Sequence, residues 1–177
     1  LMHTDAVQTV GKIPVHVNDL NVDLLALADH KIYGPKGTGA LYVRKETPIT
    51  PIVFGGHQEG GRRAGTENVP GIVGLGKACE IAAAELPSRA DRLKTLRGIL
   101  EEQIRERIPD AAVNGHPFRR LPHILSMSFR SVSGDAVVRE LDRQGIAASA
   151  GAACTADVIT VSHVLAAMNV PRDFAPG

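Results

Sequence analysis

The chain has 177 residues, of which 44% are hydrophobic and 22% are charged. A chain of this size can bury a real core and hold one large or two small domains. Its formal net charge of +1 gives no bulk field for nucleic acid or an anionic membrane, and no apolar stretch is long enough to span a bilayer. Its two cysteines, Cys79 and Cys154, make no disulfide framework, and reduced thiols favour a cytoplasmic protein.

The first third of the chain alternates short apolar runs with turn signals, which predicts a sheet with little helix. The expected strands cover residues 9–11, 14–17, 24–28 and 40–43. The glycine-rich residues 55–63 predict a loop, because glycine offers backbone freedom and no packing surface. From Pro70, apolar residues recur at helical spacing up to a predicted break at Pro87.

The rest of the chain predicts a second helix and then a small α+β unit. Ser88 and Asp91 have the spacing of a capping box at the start of that helix. The unit contains a strand over 124–129, a helix from Ser133 to just before Gly145, a strand over 146–149 and a helix over 161–168. The predicted domains are therefore 1–87, a linking helix at 88–108, and 109–177.

Lys31 is the first candidate for a catalytic residue. It follows His30 and an apolar run, Leu24–Leu27, which predicts a buried strand that delivers both side chains to its end. In open α/β sheets ligands bind at that end. A partly desolvated lysine there has a lowered pKa, and its neutral amine can form a Schiff base. The alternatives are a surface lysine, or Lys36 five positions further on in the Gly34–Gly39 turn.

The Gly34–Gly39 segment also invites comparison with a nucleotide phosphate loop. A Walker loop needs a lysine and a hydroxyl residue directly after its last glycine, and this segment lacks that spacing. It leads into the predicted strand at 40–43, so no helix N-terminus follows to meet a phosphate. A tight turn is the better interpretation.

Four segments of the chain form a more specific pattern when they are taken in order. They are His3–Gln8, Ala28–Gly37, Arg63–Asn68 and Ser149–Thr155. In this order they resemble the cysteine desulfurases, the pyridoxal-phosphate enzymes that supply sulfur for iron–sulfur clusters, and most closely the NifS- and IscS-like branch of the class V aminotransferase family. The resemblance implies an α/β, type I pyridoxal-phosphate-dependent transferase fold, with part of the large-domain sheet followed by a small α+β C-terminal domain. It also implies a substantial segment upstream and a shorter one downstream.

The resemblance assigns cofactor roles to four residues. Asp5 would keep the pyridine nitrogen protonated, which makes the ring a better electron sink, and Gln8 would donate to the phenolic oxygen of the ring. His30 would help to hold the phosphate, and Lys31 would be linked covalently to the aldehyde. The alternatives are that Asp5 and Gln8 hold a turn and that His30 is a satisfied structural group.

Two further residues take roles from the same resemblance. Thr66 matches a threonine that reaches across a dimer interface to the partner subunit's cofactor phosphate; the alternative is a helix N-cap. Cys154, among small residues typical of a mobile loop, would be the nucleophile that attacks the sulfur of L-cysteine. Cys79 falls on an apolar helix face and is expected to behave as a small buried hydrophobe.

The chain departs from the family pattern next to the lysine. Where the family has a hydroxyl residue that binds phosphate, this sequence has Ala28, which has no donor. The next position, usually small, is Asp29, and a carboxylate near a phosphate is unfavourable unless it points away.

The resulting hypothesis is a cysteine desulfurase that converts L-cysteine to L-alanine and a persulfide on Cys154. The expected partners are an identical subunit and an iron–sulfur scaffold protein, whose cluster Cys154 would contact only transiently. No resident metal site is expected, because the histidines and cysteines lack ligand spacing. The alternatives are a related lyase or aminotransferase, such as a selenocysteine lyase, and a non-catalytic remnant that binds a partner. Because other cofactor contacts lie outside the chain in this interpretation, the isolated chain is expected to show little turnover.

Overall fold

The computed structural model describes residues 1–148, 162–171, 173 and 174. The chain divides into two compact units, Leu1–Arg92 and Leu93–Gly177. Within the described residues, no helix is both long and apolar enough to cross a membrane.

The first unit contains a three-stranded sheet. Strand β1 (His3–Asp5) pairs in parallel with β2 (Leu24–Ala28), and β2 pairs antiparallel with β3 (Gly39–Val43). The strands at 24–28 and 40–43 are confirmed. The apolar strand β2 is the central strand of the sheet, because it is hydrogen-bonded to another strand on each side.

The strands predicted at 9–11 and 14–17 are wrong. The amides of Thr9 and Val10 both donate to the carbonyl of Ala6, so this segment closes helical turns instead of pairing with a strand. Residues 14–17 are irregular. Their valines still pack against the buried cluster of Ala6, Val22 and Leu25, which explains why an apolar alternation appears in the sequence without a strand.

A single long helix, α1 (Val69–Arg107), replaces the two helices that the sequence predicted. Pro87 lies inside α1, so the predicted break is wrong. Proline removes one amide donor and its ring crowds the carbonyl four residues earlier, but the hydrogen bonds of the turns on either side can carry the helix past it. The Ser88 hydroxyl donates to the Glu85 carbonyl, 3.1 Å away, and does not cap a new helix.

The second unit contains the end of α1, a two-stranded antiparallel sheet and two short helices. Strand β4 (Ala111–Val113), which the sequence analysis missed, pairs with β5 (Met127–Phe129) inside the predicted strand at 124–129. Helix α2 (Gly134–Arg143) begins after Ser133, whose side chain accepts from the amide of Ala136. Helix α3 (His163–Ala167) lies within the predicted helix.

The strand predicted at 146–149 is not formed over 146–148, and Ser149 lies outside the described residues. The amide of Ile146 donates to the carbonyl of Leu141, and Gly145 has φ +75°. A left-handed glycine followed by this hydrogen bond is the usual C-terminal motif of a helix. The segment therefore terminates α2 and is not available to start a strand.

Replacing the proline inside α1 is expected to stabilise the chain. Pro87→Ala restores an amide donor and removes the ring, and should raise the free energy of unfolding by about 1–3 kcal/mol. The measurement is urea unfolding followed by circular dichroism. Gly98→Ala, at an exposed position of the same helix, is the control and should gain about 0.5–1 kcal/mol. A loss of stability in Pro87→Ala would show that the proline fits a helix kink that alanine cannot adopt.

Candidate active site

The parallel pairing of β1 and β2 brings two of the predicted segments to one edge of the sheet. Asp5, at the end of β1, is in register with Ala26, and the Ala6 amide donates to the Ala26 carbonyl at 2.9 Å. Strand β2 ends two residues later at Ala28, and a short 3₁₀ helix, Asp29–Lys31, follows directly. The carboxyl ends of both strands therefore lie together, at the edge where α/β sheets bind ligands.

Asp5, at the end of β1, and Gln8, in the turn that follows, are both exposed. Oδ1 of Asp5 accepts from the amide of Val7 at 2.9 Å, which is the turn-holding role that the sequence left open. A carboxylate has two oxygens and about four lone-pair positions. Asp5 can therefore hold its own turn and still meet a protonated ring nitrogen.

His30 and Lys31 are both exposed in this chain. The expectation that Lys31 is partly removed from solvent is therefore wrong in this structure. The predicted placement of His30 and Lys31 directly after a strand end is confirmed. Lys36 lies in the exposed turn between the 3₁₀ helix and β3. Since a strand follows that turn, the phosphate-loop alternative has no helix N-terminus to use.

The desolvated lysine of this region is Lys12, which the sequence analysis missed. Its side chain is largely buried, and its Nζ donates to the carbonyl of Lys31 at 3.0 Å. Burial, and to a lesser extent the charge of Arg89, lowers the pKa of Lys12. Only the tertiary contact distinguishes Lys12 from a surface lysine, so no pattern in the sequence could have identified it.

Asp29 is turned into the protein interior. It is fully buried, and neither of its carboxylate oxygens has a hydrogen-bond partner among the described residues. The carboxylate lies where a Cβ on Gly34 would sit, 1.4 Å from Oδ1. A ligand at the exposed edge therefore does not touch this carboxylate, which removes the expected clash with a phosphate. The position of Ala28 still provides no hydroxyl donor.

Thr66 is exposed and lies three residues before α1. The N-cap alternative for Thr66 is wrong, because Oδ1 of Asn68 accepts from the amide of Gly71 at 3.2 Å and performs that function. The hydroxyl of Thr66 is therefore not committed to starting the helix.

The structure describes one of the two cysteines, Cys79. Cys154 lies outside the described residues. Cys79 is half-buried on α1 and packs against the cluster of Ile32, Ala78 and Ala82, as expected of a small hydrophobe. Burial, followed by the charge of Asp29, raises the pKa of the Cys79 thiol. A raised pKa keeps this sulfur protonated and unreactive near neutral pH.

The side chains at the β1–β2 edge fit pyridoxal phosphate. All four side chains are exposed: Lys31 would supply an amine for the aldehyde, Asp5 a carboxylate for the ring nitrogen, Gln8 an amide for the phenolic oxygen and His30 an imidazole for the phosphate. No group of three or more histidine, cysteine or acidic side chains is arranged to hold a metal ion in the part of the chain that the structure describes.

Comparison with known proteins identifies the family. The family described as Aminotransferase class-V matches residues 1–170. The chain belongs to the class V aminotransferase family. It is 50% identical over 175 residues to cysteine desulfurase IscS of Dictyoglomus turgidum, covering 99% of this chain and 44% of that protein. It is 49% identical over 177 residues to a cysteine desulfurase of Gluconacetobacter diazotrophicus, covering 100% and 44%.

Solved structures of NifS-like proteins show the same fold. A NifS-like protein superposes with a TM-score of 0.87 at 41% identity, over 100% of this chain and 45% of the other. A NifS-like protein from Rickettsia africae gives 0.87 at 30% identity, over 98% and 45%. The predicted type I fold, present in part, is confirmed. The chain spans less than half the length of the curated relatives it matches.

The contact between Asp29 and Gly34 predicts a strong energetic coupling. Gly34→Ala places a methyl group on the buried carboxylate and should cost about 1–3 kcal/mol of unfolding free energy. In an Asp29→Ala background the same change should cost far less, giving a coupling of about 1 kcal/mol or more in a double-mutant cycle. Gly76→Ala, whose new methyl meets no described atom within 4 Å, is the control and should show no coupling. Additive effects of Gly34→Ala and Asp29→Ala would contradict the contact.

The surroundings of Cys79 predict a slow reaction with alkylating agents. In a Cys154→Ser background Cys79 is the sole thiol, and its rate of reaction with iodoacetamide should rise with pH around a midpoint above that of free cysteine. Asp29→Asn removes the nearby charge and should lower that midpoint, while Asp19→Asn, at an exposed position, should not. A midpoint below that of free cysteine would show that the thiol is not shielded.

Proposed function

We propose that the chain is the part of a cysteine desulfurase that carries the cofactor lysine and the sulfur-accepting cysteine. The observation that supports this most directly is the parallel pairing of β1 with β2, because it places the segments of Asp5 and Lys31 at the same edge of the sheet. The family match and the identity to cysteine desulfurases support the choice of reaction class.

The proposed reaction removes sulfur from L-cysteine. The carbon–sulfur bond of L-cysteine breaks, a sulfur–sulfur bond forms on Cys154, and the carbon skeleton takes up a proton, so that L-cysteine and a thiol become L-alanine and a persulfide. Bound pyridoxal phosphate supplies the electron sink that makes the carbon–sulfur bond labile. Cys154 acts as a thiolate, since the thiolate is the nucleophilic form.

The residues of the sheet edge hold and orient the cofactor in this proposal. Lys31 is the covalent attachment point, and its position on a short 3₁₀ helix directly after β2 fixes where its side chain begins. Asp5 keeps a proton on the ring nitrogen, because a nearby carboxylate favours the protonated, positively charged form of that nitrogen. Gln8 donates to the phenolic oxygen, and His30 contributes to phosphate binding without help from Ala28.

The proposed enzyme works with two protein partners, a second identical subunit and an acceptor of the sulfur. Thr66 is exposed and free of a capping role, which fits a contact with the cofactor phosphate of a second subunit in a homodimer. An iron–sulfur scaffold protein would take the sulfur from Cys154 in the cytoplasm. The proposed domains are the end of the large domain (1–87), a linking helix (88–108) and part of the small domain (109–177).

The decisive experiment combines this chain with a part of a longer relative that the chain does not match. The chain is fused to the N-terminal portion of the relative from Dictyoglomus turgidum and given pyridoxal phosphate and L-cysteine. The fusion should produce alanine and a persulfide on Cys154, while the chain alone should produce little of either. Alanine is measured by amino-acid analysis and the persulfide by mass spectrometry.

Single cysteine replacements in the fusion test the role of each sulfur. Cys154→Ser should abolish the protein persulfide, whereas Cys79→Ser should leave it in place because Cys79 is half-buried and protonated. Persulfide or sulfide formation at an unchanged rate in Cys154→Ser would refute the nucleophile assignment. A folded fusion that binds no cofactor would favour the non-catalytic remnant instead, and turnover of selenocysteine alone would favour a selenocysteine lyase.

A further inference from the structure

The turn that carries Lys31 contains an unusual residue. Tyr33 has a φ of +67°, in the left-handed region that side chains other than glycine rarely adopt. It is 81% exposed, so burial of its ring in a core does not explain why a tyrosine is there. A bulky residue in this conformation persists only where its surroundings hold it.

Two cations lie against the ring of Tyr33. Nζ of Lys12 is 5.7 Å from the ring centroid, and the guanidinium carbon of Arg89 is 5.0 Å from it. Both distances are within the range in which a cation is attracted to an aromatic face. Arg89 is itself held on α1 by an ion pair with Glu85.

Lys12 connects this ring to the backbone of Lys31. The same Nζ that lies near Tyr33 donates to the Lys31 carbonyl at 3.0 Å. The side chain of Lys12 is largely buried, so its contacts with the Lys31 carbonyl and the Tyr33 ring replace part of its hydration. The turn is also closed by two amides, those of Ile32 and Gly34, which both donate to the Asp29 carbonyl at 2.9 and 3.0 Å.

We infer that Lys12, Tyr33 and Arg89 form a cation–π clamp that fixes the backbone of Lys31. The three are positioning residues, since they act through the Lys31 carbonyl and the turn after it. The clamp joins the segment after β1, the turn after β2 and helix α1. Its value to catalysis rests on the proposed function, because fixing the backbone of Lys31 restricts where its amine can meet an aldehyde.

Amide hydrogen exchange tests the clamp without any cofactor. The amides of Ile32 and Gly34 report opening of the turn, and the amide of Ala6, bonded to the Ala26 carbonyl, reports opening of the sheet. In the ¹⁵N-labelled chain, Tyr33→Leu and Lys12→Met should speed exchange of the two turn amides about fivefold. The exchange rate of the Ala6 amide should stay within about twofold.

Conservative replacements and a matched control separate the clamp from general destabilisation. Tyr33→Phe keeps the ring and Lys12→Arg keeps the cation, so both should exchange at close to the wild-type rate. Phe174→Leu removes a comparable contact, in which the guanidinium carbon of Arg130 lies 4.9 Å from a ring, and should leave the turn amides unchanged. Tyr33→Gly removes the ring together with the backbone strain, and should still speed exchange.

Several results would overturn the inference. Unchanged exchange of the turn amides in Tyr33→Leu is one, and slower exchange in Tyr33→Gly is another, because it would mean that strain relief outweighs the ring contacts. Equal acceleration of the Ala6 amide would show that the sheet opens as a whole. Because Tyr33 is exposed, its variants leave the core intact even if Lys12→Met fails to fold. A failure of the proposed function would not alter these rates.

Discussion

The parallel hydrogen bonding between β1 and β2 is the constraint on which the candidate site depends. It places the end of β1, at Asp5, beside the end of β2, from which the helix of Lys31 starts. Residues 26 positions apart in the chain thereby share one edge of the sheet. An antiparallel pairing of the same strands would send the two segments to opposite edges and leave no common site.

The segment that follows β2 contains two features that cost free energy of folding. Asp29 is a buried carboxylate without a hydrogen-bond partner among the described residues, and Tyr33 holds a left-handed backbone. Each is destabilising when taken alone. Glycine at position 34 leaves room for the carboxylate, and two cations lie within cation–π distance of the exposed tyrosine ring. Features that cost stability next to a sheet edge are typical of a functional site.

Local patterns predicted those elements whose causes are local. Strand β2 follows from its apolar run, and α2 follows from the cap at Ser133 and the glycine at 145. The break predicted at Pro87 is wrong because the hydrogen bonds of the neighbouring turns carry one continuous helix past this exposed proline. The strands predicted at 9–11 and 14–17 are wrong because tertiary packing of their valines, and not pairing with another strand, decides those segments. The same limit applies to the site. Motifs predicted roles for Lys31 and Asp5, but the burial of Lys12 and the inward turn of Asp29 are properties of the folded chain alone.

The most direct measurement locates the amine that would bind the cofactor. The fusion described above is loaded with pyridoxal phosphate, reduced with borohydride and digested, and the modified peptide is identified by mass spectrometry. The proposed role of Lys31 predicts a single stoichiometric label on its amine, lost in Lys31→Ala and retained in Lys36→Ala. A label on Lys36, on Lys12, or spread evenly over exposed lysines would contradict it.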